Sequence, residues 1–232
     1  MSEVFPNAPV KEAIFQVRFP GELSIEGKRH EFQSKVRSEY PTLYVPKVQP
    51  EVAPALQAYS FRNEEEKASI NLALNSFSYS TNQYLGFEKF RNRFLAAFSV
   101  FQEMFNIPKF SRIGLRYTNH IPILKEQGII PLVEALKIGL KLPSLIPEKY
   151  EEFLVVFATE LGDGKLRCIV QYQEVQPQGK EFLLLDFDYF IKGELNPNSI
   201  ESLLETSHRH TKEVFLSLIT EGYLAAMKGD TQ

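Results

Sequence analysis

Cysteine occurs once and tryptophan not at all among the 232 residues. A lone thiol, Cys168, excludes an internal disulfide framework and a cysteine-based zinc site. It lies in Leu166-Arg-Cys-Ile-Val-Gln-Tyr, a strand-like run that suits a packed thiol. No apolar run approaches the roughly 18 residues a membrane span needs. The start, Met1-Ser-Glu-Val-Phe-Pro-Asn, has neither the basic flank nor the apolar stretch of a signal peptide. These absences predict a soluble, cytoplasmic chain. An excess of either charge is missing too, with a net charge of −3 and a pI near 5.9. That argues against a wholesale basic surface for duplex nucleic acid and leaves room for a local patch. Gly-x-Ser-x-Gly, His-Glu-x-x-His and glycine-rich phosphate loops are all absent, so no catalytic residue and no cofactor is assigned.

What is present is aromatic. The chain has nineteen Phe and ten Tyr, and 44% of its residues are hydrophobic, ample for a core. Phe87, Phe90, Phe94, Phe98, Phe101 and Phe105 recur at gaps of three or four, one stripe of a helix. Asn106-Ile-Pro breaks that helix, and Thr81 or Asn82 is placed to cap its start. Ahead of it, Val10–Phe19 alternates as a strand, and Glu26–Tyr40 carries Phe32, Val36 and Tyr40 at helical spacing. Thr42–Pro54 is a proline-rich loop with Tyr44 on a short edge segment. Strands at Leu56–Asn63, Ala68–Asn75 and Ser76–Ser80 complete the first half.

The second half repeats that order. Arg112–Ile123 is a strand, and Ile130–Leu142 has leucines at helical spacing. Phe153–Leu161 and Leu166–Val175 flank Gly162-Asp-Gly-Lys, a hairpin turn. Phe182–Phe190 is a third strand. A last helix runs from about Ile200 to Met227, capped by Asn198 or Ser199, with Leu204, His208, Thr211, Phe215, Leu218 and Gly222 on one stripe. The fold expected is α+β: a tandem duplication of a β-α-β-β-β-α unit, residues 1–108 and 109–232. Its antiparallel strands form one sheet or two, with a long helix on the same face of each half.

Asn7-Ala-Pro-Val-Lys-Glu-Ala-Ile-Phe-Gln-Val-Arg-Phe resembles the opening motif of a sporadically distributed, uncharacterised family of bacterial proteins of about this length. Arg112-Ile-Gly-Leu-Arg-Tyr-Thr-Asn-His-Ile resembles its central motif. His208, with Phe215 and Ile219-Thr220 after it, is similar to its C-terminal helix signature. The resemblance spans essentially the whole chain and implies no activity. The element order also resembles that of TATA-binding-protein-like duplicated folds, from which function does not transfer.

The densest polar cluster is Arg112, Arg116, Tyr117, Asn119 and His120. On a strand, Arg112, Gly114, Arg116 and Thr118 share one face and Tyr117 and Asn119 the other. Two guanidiniums so placed suit a phosphate, a carboxylate or a partner protein, with Gly114 allowing close approach. The alternative is pairing with carboxylates on neighbouring strands. Lys11 and Glu12 are either a polar pair at the centre of the sheet or a strand-edge ion pair. Asp186 and Asp188, two apart, could hold Mg²⁺ or Mn²⁺ with help from Glu174, or could pair with Arg112 and Arg116. His208 is expected to tie helix to sheet rather than to act as a base. The function these features suggest is a non-catalytic binding module, compatible with a homodimer. It would engage a protein or nucleic acid through a sheet face or a cleft between halves; the sporadic distribution of the family that the chain resembles implies a setting such as defence or a toxin–antitoxin pair. The other reading is an enzyme acting on a phosphorylated or nucleotide substrate.

Overall fold

The computed structural model describes residues 5–45, 56–139, 143–147, 149–175 and 179–229. Alternation of apolar and polar residues makes Val10–Arg18 a strand, β1, with Ala13, Phe15 and Val17 wholly buried on one face. The chain continues through α1 (Ser24–Val36), β2 (Thr42–Tyr44), β3 (Tyr59–Asn63), β4 (Ala68–Ala73) and β5 (Ser76–Thr81). Then come α2 (Phe87–Phe105), β6 (Phe110–Pro122), α3 (Leu132–Ala135), β7 (Leu154–Leu161), β8 (Gly164–Val175) and β9 (Lys180–Leu195). A 3₁₀ turn at Pro197–Ser199 leads into α4 (Ile200–Leu218), and α5 (Glu221–Lys228) follows.

The nine strands among the described residues form one antiparallel sheet in the order β2-β3-β4-β5-β1-β6-β9-β8-β7. β1 and β6 pair at its middle, with Phe15 opposite Leu115 and Val17 opposite Ile113. Outward from that seam the order is β1-β5-β4-β3 on one side and β6-β9-β8-β7 on the other. The class is therefore α+β with a single sheet.

Every long helix packs on the same face. All six phenylalanines of the α2 stripe are buried. Phe94 meets Phe15 edge-on at 4.7 Å, and Phe101 stacks on Phe77 at 4.6 Å. From α1, Phe32 packs on Phe61 and Phe77, and from α4, Phe215 packs on Phe187. Phe15, Phe61, Phe77 and Phe187 share one face of the sheet, so the helices cover that face. The other is left to Gln16, Arg18, Arg116 and their neighbours.

Several expected details differ. Within the described part of the expected Ile130–Leu142 helix there is a single helical turn, because Leu136 forms a bridge with Ile219 and the Lys137 amide donates to Leu218 O at 2.6 Å. The same contact ends α4 at Leu218, so the long last helix is two, and Gly222 leaves the stripe. Thr81 and Asn82 do not cap α2, whose N-cap is Gly86. Thr81 instead accepts a bond from the Gln83 amide. Asn196 caps the 3₁₀ turn, and neither Asn198 nor Ser199 caps α4 through its side chain. Of the β7–β8 turn, Gly162 carries the positive φ of +57° while Gly164 already pairs with Leu161. Residues 46–54 of the expected loop and 140–142 of the expected helix lie outside the described residues.

Candidate functional site

The polar run on β6 is divided between the two faces of the sheet. Arg112, Gly114, Arg116 and Thr118 stand on the open face, whereas Tyr117 and Asn119 point under the helices.

On the open face both arginines have carboxylate partners. Arg116 donates from Nε and Nη2 to the two oxygens of Asp186, each at 2.7 Å. Arg112 Nη2 donates to both oxygens of Asp188 at 3.0 and 2.9 Å. The pairs run diagonally, since Arg116 stands opposite Asp188 and Thr118 opposite Asp186. Burial is unequal: the Asp186 side chain is 5% exposed and that of Arg116 47%. Asp186 and Asp188 are thus committed to arginines, and no group of three potential metal ligands occurs among the described residues. Gly114 does not leave room for another chain. A Cβ there would lie 2.6 Å from Nη1 of Arg112, whose guanidinium rests over the glycine and 4.7 Å from the Phe190 ring centre.

The register adds cations that sequence spacing alone did not reveal. Arg18 of β1 stands opposite Arg112 of β6, which stands opposite Lys192 of β9. Three like charges therefore lie in one row across adjacent strands, with Asp188 on Arg112 as compensation. Burial, opposed by Asp188 and reinforced by Arg18, lowers the Arg112 pKa from its ordinary value. Among the described residues the Arg18 guanidinium donates to the neutral Gln16 and forms no ion pair, and Lys192 lies 5.4 Å from the Phe190 ring. Arg167 of β8 is exposed and opposite Asp188. Lys11 and Glu12 are on the central strand, not at an edge, and they form no ion pair with each other. Lys11 is exposed within a bulge of β1, and its charge, after burial, lowers the pKa of His120.

Under the helices, Tyr117, Asn119 and His208 meet at a cavity of about 300 Å³. Tyr117 is hydrogen-bonded to His208 Nδ1 at 3.0 Å and to Tyr84 at 3.4 Å. The His208 ring stacks on Phe87 at 3.8 Å. Burial, aided by Lys212 one turn away, pushes the His208 pKa down to about 4. With His208 neutral and its proton on Nε2, Tyr84 can donate to Tyr117 and Tyr117 to His208 Nδ1. Burial raises the Tyr84 pKa to about 12 and that of Tyr117 well above its ordinary value, so both stay protonated. Asn119 donates to Leu185 O at 3.1 Å. As expected, His208 ties helix to sheet.

Sequence reading did not find Tyr84, Lys212 or the lead-in Phe5–Pro9 as parts of this cavity. The spacing of His208 and Lys212, one helical turn apart, was the available signal for Lys212. Nothing local marks the lead-in, whose Asn7 is held by the Ala226 and Met227 carbonyls far along the chain. No protein-family model matches the chain, and a search of curated proteins returns no match. No helix among the described residues is long and apolar enough to cross a membrane.

Proposed function

We propose that this protein is a non-catalytic binding module that lays the open face of its sheet against a nucleic acid. The observation that carries this reading is the row Arg18–Arg112–Lys192, three cations directly opposed across β1, β6 and β9. Like charges so placed weaken a sheet, and a phosphate backbone lying along the row relieves the repulsion. Arg167 extends the patch onto β8. Asp186 and Asp188, engaged by arginines, are unsuited to the metal-dependent enzyme reading. Fluorescence anisotropy with a labelled 20-nucleotide single strand, its duplex and an acidic polypeptide tests the assignment. Expected is single-strand binding that weakens with salt at a slope of about −0.7 per phosphate neutralised, and at least a tenfold loss in Arg18→Glu/Lys192→Glu. No binding at low salt, binding indifferent to that double variant, or preference for the acidic polypeptide refutes it.

The finer architecture belongs to the same proposal. We infer two tandem copies of one unit, residues 1–108 and 109–232, in a TATA-binding-protein-like arrangement. The identical strand order outward from the β1–β6 seam supports it. β2, α5 and the one-turn α3 are the departures from strict repetition. Membership of the sporadically distributed bacterial family rests on the sequence motifs described above, a cytoplasmic location on composition, and a defence-related role only on analogy with the distribution of the family that the chain resembles.

A further inference from the structure

The cavity under the helices is separate from the open face and has the makeup of a small-molecule site. It holds about 300 Å³, at the lower end of ligand cavities, or roughly ten water-sized volumes of about 30 Å³. Its body is apolar, with Phe5 and Val10 on one side and Phe187, Phe215 and Leu216 on another. Its polar groups gather around Tyr84, Tyr117, His208 and Lys212. Lys212 is half-buried and forms no ion pair among the described residues. Glu213, its neighbour in sequence, lies within ion-pair distance of Arg209 and His210 instead. The first turn of α2, which no side chain caps, begins at Gly86 and Phe87 on the same wall. A half-buried ammonium against an apolar cavity is stabilised by an anion delivered on an apolar body. The lead-in 5–9 closes one side, held by Asn7 to the α5 carbonyls and by Pro9 O to the His120 amide. With that wall in place, the volume of about 300 Å³ suits a compact ligand.

We propose that the cavity binds a small amphiphilic carboxylate, with an apolar body of roughly eight to ten heavy atoms. The body lies against Phe187 and Phe215. The carboxylate meets Lys212, and the neutral Tyr84–Tyr117–His208 chain lines the polar end. Isothermal titration and thermal unfolding of the full chain with decanoate and with 1-decanol, below their aggregation limits, test it. Expected is one saturable decanoate site and a Tm rise of roughly 5 °C at 100 times Kd. Decanol is expected to bind at least tenfold more weakly. Lys212→Met should weaken decanoate at least fivefold and leave decanol within twofold. Leu216→Trp, which fills the cavity, should weaken both, with circular dichroism confirming that each variant is folded. Absence of saturable decanoate binding to the folded wild type overturns the proposal. So does equal affinity for acid and alcohol, or decanoate binding unchanged in Lys212→Met.

Discussion

At the Asp186–Arg116 pair the two partners differ in what they leave behind. Asp186 is nearly closed off from water, whereas half of the Arg116 side chain is open to it. Removing the arginine strands a buried carboxylate, while removing the carboxylate leaves a guanidinium that water can still solvate. Arg116→Ala is therefore expected to lower the unfolding free energy by about 2–4 kcal/mol, and Asp186→Ala by distinctly less. Urea denaturation of the two variants checks the order, and a larger loss in Asp186→Ala would contradict it. His208 makes a second prediction at this scale. Its folded pKa, about 4, lies below the ordinary 6.5, so between these values the unfolded chain binds a proton that the folded chain refuses. Its contribution is present in full above about pH 6.5 and is lost as pH falls towards 4. The loss is on the order of 2–3 kcal/mol. Stability against pH for wild type and His208→Phe should diverge at pH 7 and converge near pH 4. A difference that does not change with pH would show that His208 contributes packing alone.

Among the elements, α2 was the most legible in the sequence. Six rings at helical spacing can face only a core, and Asn106, at φ +45°, ends the helix where Asn106-Ile-Pro was read to break it. Phe94 sits wholly buried between Phe15 and Phe98. Phe94→Ala should destabilise by about 3–5 kcal/mol in chemical denaturation, since the packed sheet cannot collapse into the void. The α3 and α4 boundaries were not legible, for a physical reason. Leucine spacing favours a helix through Leu136 and beyond, but the backbone of Leu136 and Lys137 is taken by Ile219 and Leu218, some eighty residues away. A contact that distant leaves no local pattern. Thr220 fixes the break: its hydroxyl accepts from the Tyr223 amide and donates to Glu134 O at 2.6 Å. Thr220→Ala should lower stability by about 1 kcal/mol or somewhat more, read from the same denaturation curves. The candidate site was half legible for a related reason. Alternation along β6 separated Arg112 and Arg116 from Tyr117 and Asn119 correctly. Only strand register could place Arg18 and Lys192 beside Arg112, and register depends on partners that a strand's own residues do not name.

For the whole molecule, packing every long helix on one face leaves a sheet whose other face and whose two outer strands, β2 and β7, carry no further strand among the described residues. The edges differ. β2 is a strand of three residues, too short to template another chain. β7 runs for eight residues, Leu154 to Leu161, with no lysine, arginine or proline in it. Leu154, Val156 and Phe157 are 60%, 50% and 38% exposed. Because Val156 and Phe157 point to opposite faces, the edge is apolar on both sides, and among the described residues β7 has a strand partner, β8, on one side only. A second copy of the same strand, antiparallel about a twofold axis, would pair with this edge and cover both apolar sides. A homodimer, if the chain forms one, is expected to join at this edge. Light scattering coupled to gel filtration should find a concentration-dependent dimer at tens of micromolar. Val156→Lys should shift it to monomer while leaving thermal stability nearly unchanged, because this exposed side chain supports little of the protomer's own core. A wild type that stays monomeric across that range, or a dimer that survives Val156→Lys, would mean that β7 is not the joining edge.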